Sequence, residues 1–145
     1  MKELQRFHHT SEFEEYGISS FVYRARRPFH PERLNEALDD GGENVLRATG
    51  MMWLASKHDI IGVYSQAGNC FGVEPVRRWY SASPQEEWPE DEATLNSLGK
   101  DWHPEFGDRM QEVVFIGTGM DQPRIEATLS RCLLADQEMA AGPVA

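Results

Sequence analysis

Hydrophobic and polar side chains alternate along several short segments of the chain, which is the pattern of β-strands with one buried face. In the first segment, residues 18–27, Phe21 and Tyr23 fall on one face while Val22 and Arg24 fall on the other. Four further strands are predicted at residues 45–56, 60–66, 70–80 and 110–117. The alternation therefore predicts a sheet of up to five strands.

Some residues within these strands indicate where each strand lies in the sheet. Pro75 has no N–H to donate, so it predicts an edge position or a bulge. The apolar run at residues 113–116 predicts a central strand. Gly50 suggests an interruption in the second predicted strand, and residues 67–69 predict a tight turn between the third and the fourth.

Apolar spacing of three and four residues predicts helices at residues 31–39, 90–98 and 123–139. Pro31 suits the first turn of its helix, where a missing N–H costs nothing. Asp121 is the expected N-cap of the last helix, whose apolar stripe includes Leu129 and Cys132. These elements predict an α+β domain: a mostly antiparallel sheet of four to five strands with two main helices packed on one face.

The chain has 145 residues, which suits one domain. We assign this domain to residues 16–140, with an N-terminal tail or linker at residues 1–15 and a disordered tail at residues 141–145. Residues 83–108 form a long acidic insertion that contains prolines and tryptophans. We expect Trp88 and Trp102 to pin this insertion to the body of the domain, because tryptophan buries a large apolar area.

The chain has 14 basic and 24 acidic residues, so its formal net charge is −10. Phosphate backbones and anionic lipid surfaces repel such a chain, which argues against nucleic acid and membrane partners. The N-terminus lacks the apolar stretch of a secretory signal, so we expect the cytoplasm. Cys70 and Cys132 allow one long-range disulfide, although two reduced, packed thiols are more typical of an intracellular chain.

The sequence does not match either of the two nucleotide-binding motifs that it partly resembles. Gly99 and Lys100 are followed by Asp101, where a phosphate-binding loop requires serine or threonine. The turn at residues 117–119 lacks the third glycine of a dinucleotide fingerprint, so it is interpreted as a tight strand-to-helix turn. We predict no catalytic residues and no enzymatic activity. An enzyme with Cys70 as nucleophile is a weaker alternative, because it needs a histidine close in space.

Histidines provide the only candidates for a metal site. His8 and His9 are adjacent and precede several glutamates, and His30 is the third candidate ligand. Imidazole and carboxylate groups bind zinc and similar metals, but adjacent histidines alone cannot complete a tetrahedral site. A solvated tail is the alternative interpretation of this segment.

Three arginines form the densest basic cluster in this acidic chain. Arg24 and Arg26 share a strand face, and Arg27 follows directly. If no helix covers that face, the guanidinium groups would bind a carboxylate or phosphate group of a partner. The alternative is that they pair with acidic residues of the chain itself.

Eight ordered blocks of the sequence form a recognisable series: residues 16–34 (YGISSFVYRARRPFHPERL), 45–50 (VLRATG), 53–55 (WLA), 65–68 (SQAG), 74–79 (EPVRRW), 107–117 (GDRMQEVVFIG), 120–121 (MD) and 132–134 (CLL). This series resembles the C-terminal domain of the CobW family. The resemblance extends from about residue 15 to residue 138 and supports the α+β fold.

The resemblance implies a function that the residues alone do not give. In that family the domain follows a P-loop GTPase domain, and the complete proteins supply cobalt for cobalamin synthesis or deliver zinc. We therefore expect a non-catalytic accessory domain that contacts a P-loop GTPase domain or another copy of itself, with zinc or cobalt as candidate metals. Arg24, Arg26 and Arg27 would bind the partner. The alternative is a small metal-binding carrier that uses His8, His9 and His30.

Overall fold

The structure, a computed structural model, describes residues 17–40 and 44–141. These residues contain five antiparallel strands: β1 (Ile18–Ala25), β2 (Val45–Met52), β3 (Ile60–Ala67), β4 (Cys70–Arg78) and β5 (Gln111–Thr118). They also contain four helices: α1 (Pro31–Asp40), α2 (Glu92–Lys100), α3 (Gln122–Ser130) and α4 (Asp136–Ala141). The strand order is β1-β5-β2-β3-β4, so the predicted α+β class and antiparallel sheet are confirmed. The tail predicted at residues 1–15 lies outside the described residues, as do residues 142–145.

The main core lies on the sheet face that α1 and α3 cover. Phe21 of β1 stacks on its cross-strand partner Phe115 of β5, with ring centroids 5.1 Å apart. Leu34 of α1 and Leu129 of α3 are buried against the same cluster. The predicted faces of β1 are therefore correct, because its alternate side chains enter this core.

Strand β2 passes through Gly50 without a break, so the interruption predicted there is wrong. Glycine is required here for a steric reason instead, because a Cβ atom at this position would lie 2.0 Å from the carbonyl oxygen of Glu112 on β5. Its missing side chain lets β2 and β5 approach closely. The strand also ends earlier than predicted, at Met52, and a 3₁₀ turn follows at Ala55–Lys57.

Strand β4 lies at one edge of the sheet, as Pro75 predicted. The pairing of β3 with β4 shifts register between Ile61 and Gly62, so both the edge position and the bulge are present. Strand β5 lies between β1 and β2, as its apolar run predicted. The turn at Gly68 has a φ of 59°, a conformation that glycine adopts at no steric cost.

The helix predicted at residues 123–139 is two helices, α3 and α4, in the structure. The residues between them leave the helical path because their backbone pairs with another segment. His30 donates its N–H to the carbonyl of Cys132 at 2.7 Å, and Leu134 donates to the carbonyl of Pro28 at 3.0 Å. This pairing with residues 28–30, which follow β1, replaces the helical hydrogen bonds that the sequence pattern suggested.

The insertion after β4 carries two 3₁₀ turns, Tyr80–Ala82 and Gln85–Glu87, and the exposed helix α2. Trp88 and Trp102 pack against each other with centroids 5.3 Å apart. The indole N–H of Trp88 donates to the carbonyl of Tyr80 at 2.9 Å, so Trp88 fastens the insertion to the segment that follows β4. The attachment to the sheet comes from Trp79 and Phe106, which pack with Trp53. Among the helices of residues 17–40 and 44–141, none is long and apolar enough to cross a bilayer.

Candidate partner-binding surface

The second face of the sheet carries no helix of the main core, and alternate residues of four strands meet there in register. In one row Val22 pairs with Val114, which pairs with Thr49. In the next row Ile116 pairs with Arg47. We call this surface the open sheet face and define it by Ser20, Val22, Arg47, Thr49, Ser65, Ala67, Val114 and Ile116.

The open sheet face is more apolar at its centre than solvated sheet faces usually are. Val22 and Ile116 are half-buried and Val114 is 8% exposed, although the main helices lie on the other side. Antiparallel sheets normally alternate apolar and polar side chains when one face meets water. Two valines and an isoleucine therefore lie side by side at the centre of this face, with Val22 and Ile116 only partly covered.

A second hydrophobic cluster closes one end of this face. Trp53, Ile61 and Trp79 are almost fully buried, and Phe106 of the insertion packs against them. The insertion therefore covers the end of the sheet near Trp53. The open sheet face is the part of this surface that extends from the insertion to the opposite end of the strands.

Arg24 borders the open sheet face, where its Nε donates to a carboxylate oxygen of Glu112 at 3.1 Å. The arginine side chain keeps 55% of its exposure, and the glutamate keeps 15%. The sequence allowed either binding to a partner or pairing with an acidic residue of the chain itself, and the structure shows such a pair for Arg24. The exposed part of the guanidinium still faces solvent beside the apolar centre.

Arg26 and Arg27 point into the chain rather than away from it. Arg26 donates to the carbonyls of Gly107 and Arg109 at 3.0 and 3.1 Å, which fastens the insertion to the end of β1. Arg27 donates to the carbonyl of Leu134 at 3.1 Å and pairs with Asp136. The structure thus shows an architectural role for these two side chains, and partner binding by the three arginines stays a prediction.

Gln111 is a buried polar residue that the sequence did not single out. Its side chain is fully buried; its Oε1 accepts from the N–H of Trp53 at 2.8 Å, and its Nε2 donates to the carbonyls of Trp53 and Arg27. It therefore joins the ends of β1 and β2. A glutamine in an apolar strand is the only sequence signal that could have found it.

Two neighbours of Gln111 hold the adjacent loops. The carboxylate of Asp108 accepts from the N–H groups of Tyr80 and Ser81, both at 2.9 Å. Arg109 donates to the carbonyl of His58 at 3.0 Å and to Asp59 at 2.8 Å. Within the block at residues 107–117 that supported the family resemblance, these side chains therefore hold neighbouring loops in place.

We expect protonation of His58 to destabilise the fold. Its Nδ1 accepts a hydrogen bond from the indole N–H of Trp53 at 3.1 Å, which requires a neutral ring nitrogen. Burial lowers the pKa of His58 below its ordinary 6.5; the Arg109 guanidinium lowers it further, and Asp59 opposes both. The unfolded chain therefore binds a proton more readily, and the free energy of unfolding falls as the pH drops below 6.5.

Urea unfolding of the wild type and of His58→Gln, measured between pH 8 and about pH 5, tests this expectation. The glutamine can still accept from Trp53 but does not titrate in this range. We expect the variant to lose less stability than the wild type as the pH falls. Equal losses in the two proteins would contradict the assignment to His58.

The candidate metal ligands are not brought together in the described residues. His30 lies just before α1, where its Nδ1 accepts from the N–H of Arg33 at 3.4 Å. His8 and His9 lie outside the described residues, so their role stays a prediction. Residues 17–40 and 44–141 contain no group of three or more histidine, cysteine or acidic side chains that would hold a metal ion, and so do not fit a zinc site of their own.

Both cysteines lie in the described part and neither forms a disulfide, as the sequence favoured. Cys132 is buried just after α3, but Cys70 is exposed at the start of β4, so the packing predicted for both thiols is wrong for Cys70. Burial raises the pKa of the Cys132 thiol, although Arg33 and Arg131 oppose this effect. Cys132 is therefore a packed, uncharged thiol.

Comparison with known proteins places this arrangement in a family. The model of the cobalamin synthesis protein cobW C-terminal domain matches residues 18–133. Zinc-regulated GTPase metalloprotein activator 1 of Dictyostelium discoideum is 40% identical over 146 residues, which cover 98% of this chain and 30% of that protein. A zinc chaperone of Mycobacterium tuberculosis is 34% identical over 124 residues, which cover 85% of this chain and 31% of that protein.

A solved structure shares the fold. The Zn(II)-bound YjiA GTPase from E. coli superposes with a TM-score of 0.56 at 16% identity, over 83% of this chain and 31% of that one. The chain thus spans about a third of the length of the relatives that it matches. Since the family model covers most of the chain and two relatives exceed 30% identity, the chain belongs to the family of cobalamin synthesis protein cobW C-terminal domains.

Proposed function

We propose that this chain is a non-catalytic interaction domain of a zinc-handling GTPase system, and that it contacts a GTPase domain through the open sheet face. The observation that carries the proposal is the apolar centre of that face, formed by Val22, Val114 and Ile116 on the side opposite α1 and α3. A sheet face of this kind can bury its apolar side chains against another domain.

The relatives support the identity of the partner and of the metal. The Dictyostelium protein is named a zinc-regulated GTPase, and the matched region is 30% of its length, so most of that protein lies outside the match. The mycobacterial relative is named a zinc chaperone. We therefore propose zinc rather than cobalt as the metal handled by the system, and the cytoplasm as its location.

In this proposal the chain acts through contact and not through chemistry. The sequence carries no phosphate-binding loop, and the buried polar side chains of Gln111 and Arg109 are already engaged in structural hydrogen bonds. Arg24 would add charge selectivity at the border of the contact, because rim charges steer association more than they hold the complex. Zinc and nucleotide would act on the GTPase domain, and this domain would respond to its state.

Calorimetric titration of the intact chain against the part of the Dictyostelium relative outside the matched region tests the proposal. The titration is run with GTP or GDP, each with zinc or with a chelator. We expect saturable binding in at least one nucleotide state. We expect Ile116→Asp to weaken it at least about tenfold, because the contact would bury a charged carboxylate in place of an apolar side chain.

Val76→Asp is the matched control, since Val76 lies on the edge strand outside the open sheet face and is 61% exposed. It should bind like the wild type, and thermal unfolding should show that both variants are folded. Wild-type affinity in Ile116→Asp would refute the open sheet face as the contact. No binding in any of the four conditions would refute the GTPase domain as the partner.

A further inference from the structure

Burial differs between the two sides of the open sheet face. The four positions on β1 and β5 are buried or half-buried: Ser20, Val22, Val114 and Ile116. The four positions on β2 and β3 are exposed: Arg47, Thr49, Ser65 and Ala67. Strand β1 is an edge of the sheet, whereas β2 and β3 lie inside it, so position in the sheet does not explain the difference. The difference indicates that another part of the chain covers the β1 side of this face.

The described residues do not supply this cover. Val114 is 8% exposed, yet it belongs to neither hydrophobic cluster formed by residues 17–40 and 44–141. Thr49 also has cross-strand neighbours on both sides and is nevertheless exposed, so flanking side chains alone do not bury a position on this face. Helices α1 and α3 pack on the opposite face, and the insertion packs around Trp53. The cover therefore comes from a segment outside the described ranges.

Of the three segments outside the described ranges, the N-terminal one fits this position. Residues 41–43 only join α1 to β2, and residues 142–145 follow α4, which an ion pair ties to α1 on the helix-covered side. Residues 1–16 lead into β1 through Gly17, whose φ of 73° is a left-handed conformation found in tight turns. Even at the 1.5 Å per residue of a helix they span about 24 Å, whereas β1 and β2 lie about 10 Å apart.

The chemistry of the N-terminal segment matches the surface that is covered. Residues 1–16 carry three aromatic side chains: Phe7, Phe13 and Tyr16. Residues 12–15 include three glutamates, and Arg47 beside Ile116 is exposed and forms no ion pair within residues 17–40 and 44–141. We propose that residues 1–16 fold back over the β1 side of the open sheet face, with aromatic side chains on its apolar centre and glutamates within reach of Arg47.

This arrangement regulates access to the open sheet face, a consequence that rests on the proposed function. The segment and the GTPase domain would occupy the same apolar centre, so the GTPase domain binds only when it displaces residues 1–16. An intramolecular competitor lowers the apparent affinity by the fraction of chains in which the face is uncovered. The position of the segment itself does not depend on the proposed function, because it is inferred from the burial of Val114.

Thiol labelling at two positions of the open sheet face tests where the segment lies. Val22→Cys and Ser65→Cys are each introduced into a Cys70→Ser background, because Cys70 is exposed whereas Cys132 is buried. Reaction with iodoacetamide is followed by mass spectrometry of the intact chain. We expect the Val22→Cys variant to react at least about tenfold more slowly than the Ser65→Cys variant, because a thiol reacts only where the reagent reaches it.

Changes within the segment show whether it provides the protection. Phe7→Asp combined with Phe13→Asp should accelerate labelling of the Val22→Cys variant at least about fivefold, because charged carboxylates do not stay against an apolar surface. Deletion of residues 1–15 should have the same effect. Thr10→Asp combined with Ser11→Asp is the matched control: it adds the same charge, removes no aromatic side chain and should leave the labelling rate unchanged.

The Ser65→Cys variant should label at the same rate in all of these chains, and circular dichroism should show that each is folded. Equal labelling of the Val22→Cys and Ser65→Cys variants, or no acceleration by either change in the segment, would overturn the proposal. Protection that is lost on dilution would also overturn it, because the covering segment would then belong to a second copy of this chain.

The titration against the GTPase part of the Dictyostelium relative tests the competition separately. Deletion of residues 1–15 should tighten binding at least about fivefold, because no intramolecular competitor remains. Equal affinities of the full and the shortened chain would overturn the competition. Absence of binding by both chains would refute the proposed function alone, since thiol labelling still decides where residues 1–16 lie.

Discussion

Replacing Gly50 with alanine is expected to destabilise the domain by at least about 3 kcal/mol. The new Cβ atom would lie 2.0 Å from the carbonyl oxygen of Glu112 and 2.7 Å from the Cα of Val113. Both are backbone atoms of β5, which is held by β1 on its other side, so neither can move without breaking ladder hydrogen bonds. Chemical unfolding followed by circular dichroism measures the loss.

Gly72→Ala is the matched control for this substitution. Gly72 also lies within a strand, but no atom beyond its chain neighbours comes within 4 Å of a Cβ built there. We expect a change between zero and about 1 kcal/mol of added stability, because alanine restricts the unfolded chain. Similar stabilities for the two variants would show that β2 and β5 are not as closely apposed as the structure indicates.

Replacing Gln111 with leucine is expected to destabilise the domain by about 3 kcal/mol. The volume is nearly preserved, but the N–H of Trp53 loses its acceptor inside the protein. The carbonyl of Arg27 loses a donor, whereas the carbonyl of Trp53 keeps a second donor in the N–H of Phe29. The cost therefore comes mainly from one buried N–H group and one weakened carbonyl.

Gln85→Leu provides the comparison for Gln111→Leu, because Gln85 is exposed in a 3₁₀ turn of the insertion. Its free energy of unfolding should stay within about 0.5 kcal/mol of the wild type. Hydrogen exchange adds a second readout: the Trp53 amide should lose protection in Gln111→Leu. Unchanged protection at Trp53 would mean that the glutamine does not hold together the segments that follow β1 and β2.

Local patterns in the sequence predicted most of the elements and their buried faces. Phe21 and Tyr23 enter the core because alternation is a property of each strand by itself. The last helix was predicted too long because its termination depends on a distant segment, Pro28 to His30, which captures the backbone near Cys132. No local pattern contains that information.

The basic cluster shows the same limit for the candidate site. Its spacing correctly placed Arg24 on the face opposite the main core. Arg26 and Arg27, however, donate to carbonyl groups of residues about 80 and 107 positions away, and Arg27 also pairs with Asp136. Carbonyl groups carry no signature in a sequence. Arg26 and Arg27 therefore stabilise the fold by holding distant segments of the chain. The apolar centre of the open sheet face could be identified only after the strands were placed side by side.

The strand order has a consequence for how the chain is made. Strand β5 separates β1 from β2, although both precede it in translation. While the ribosome adds the intervening residues, β2 can pair with β3, but β1 has β5 as its neighbour in the sheet and waits with an unpaired backbone. Contacts between distant residues slow folding, so the sheet should close only after residue 118 has emerged, and a nascent chain stopped earlier should be protease-sensitive.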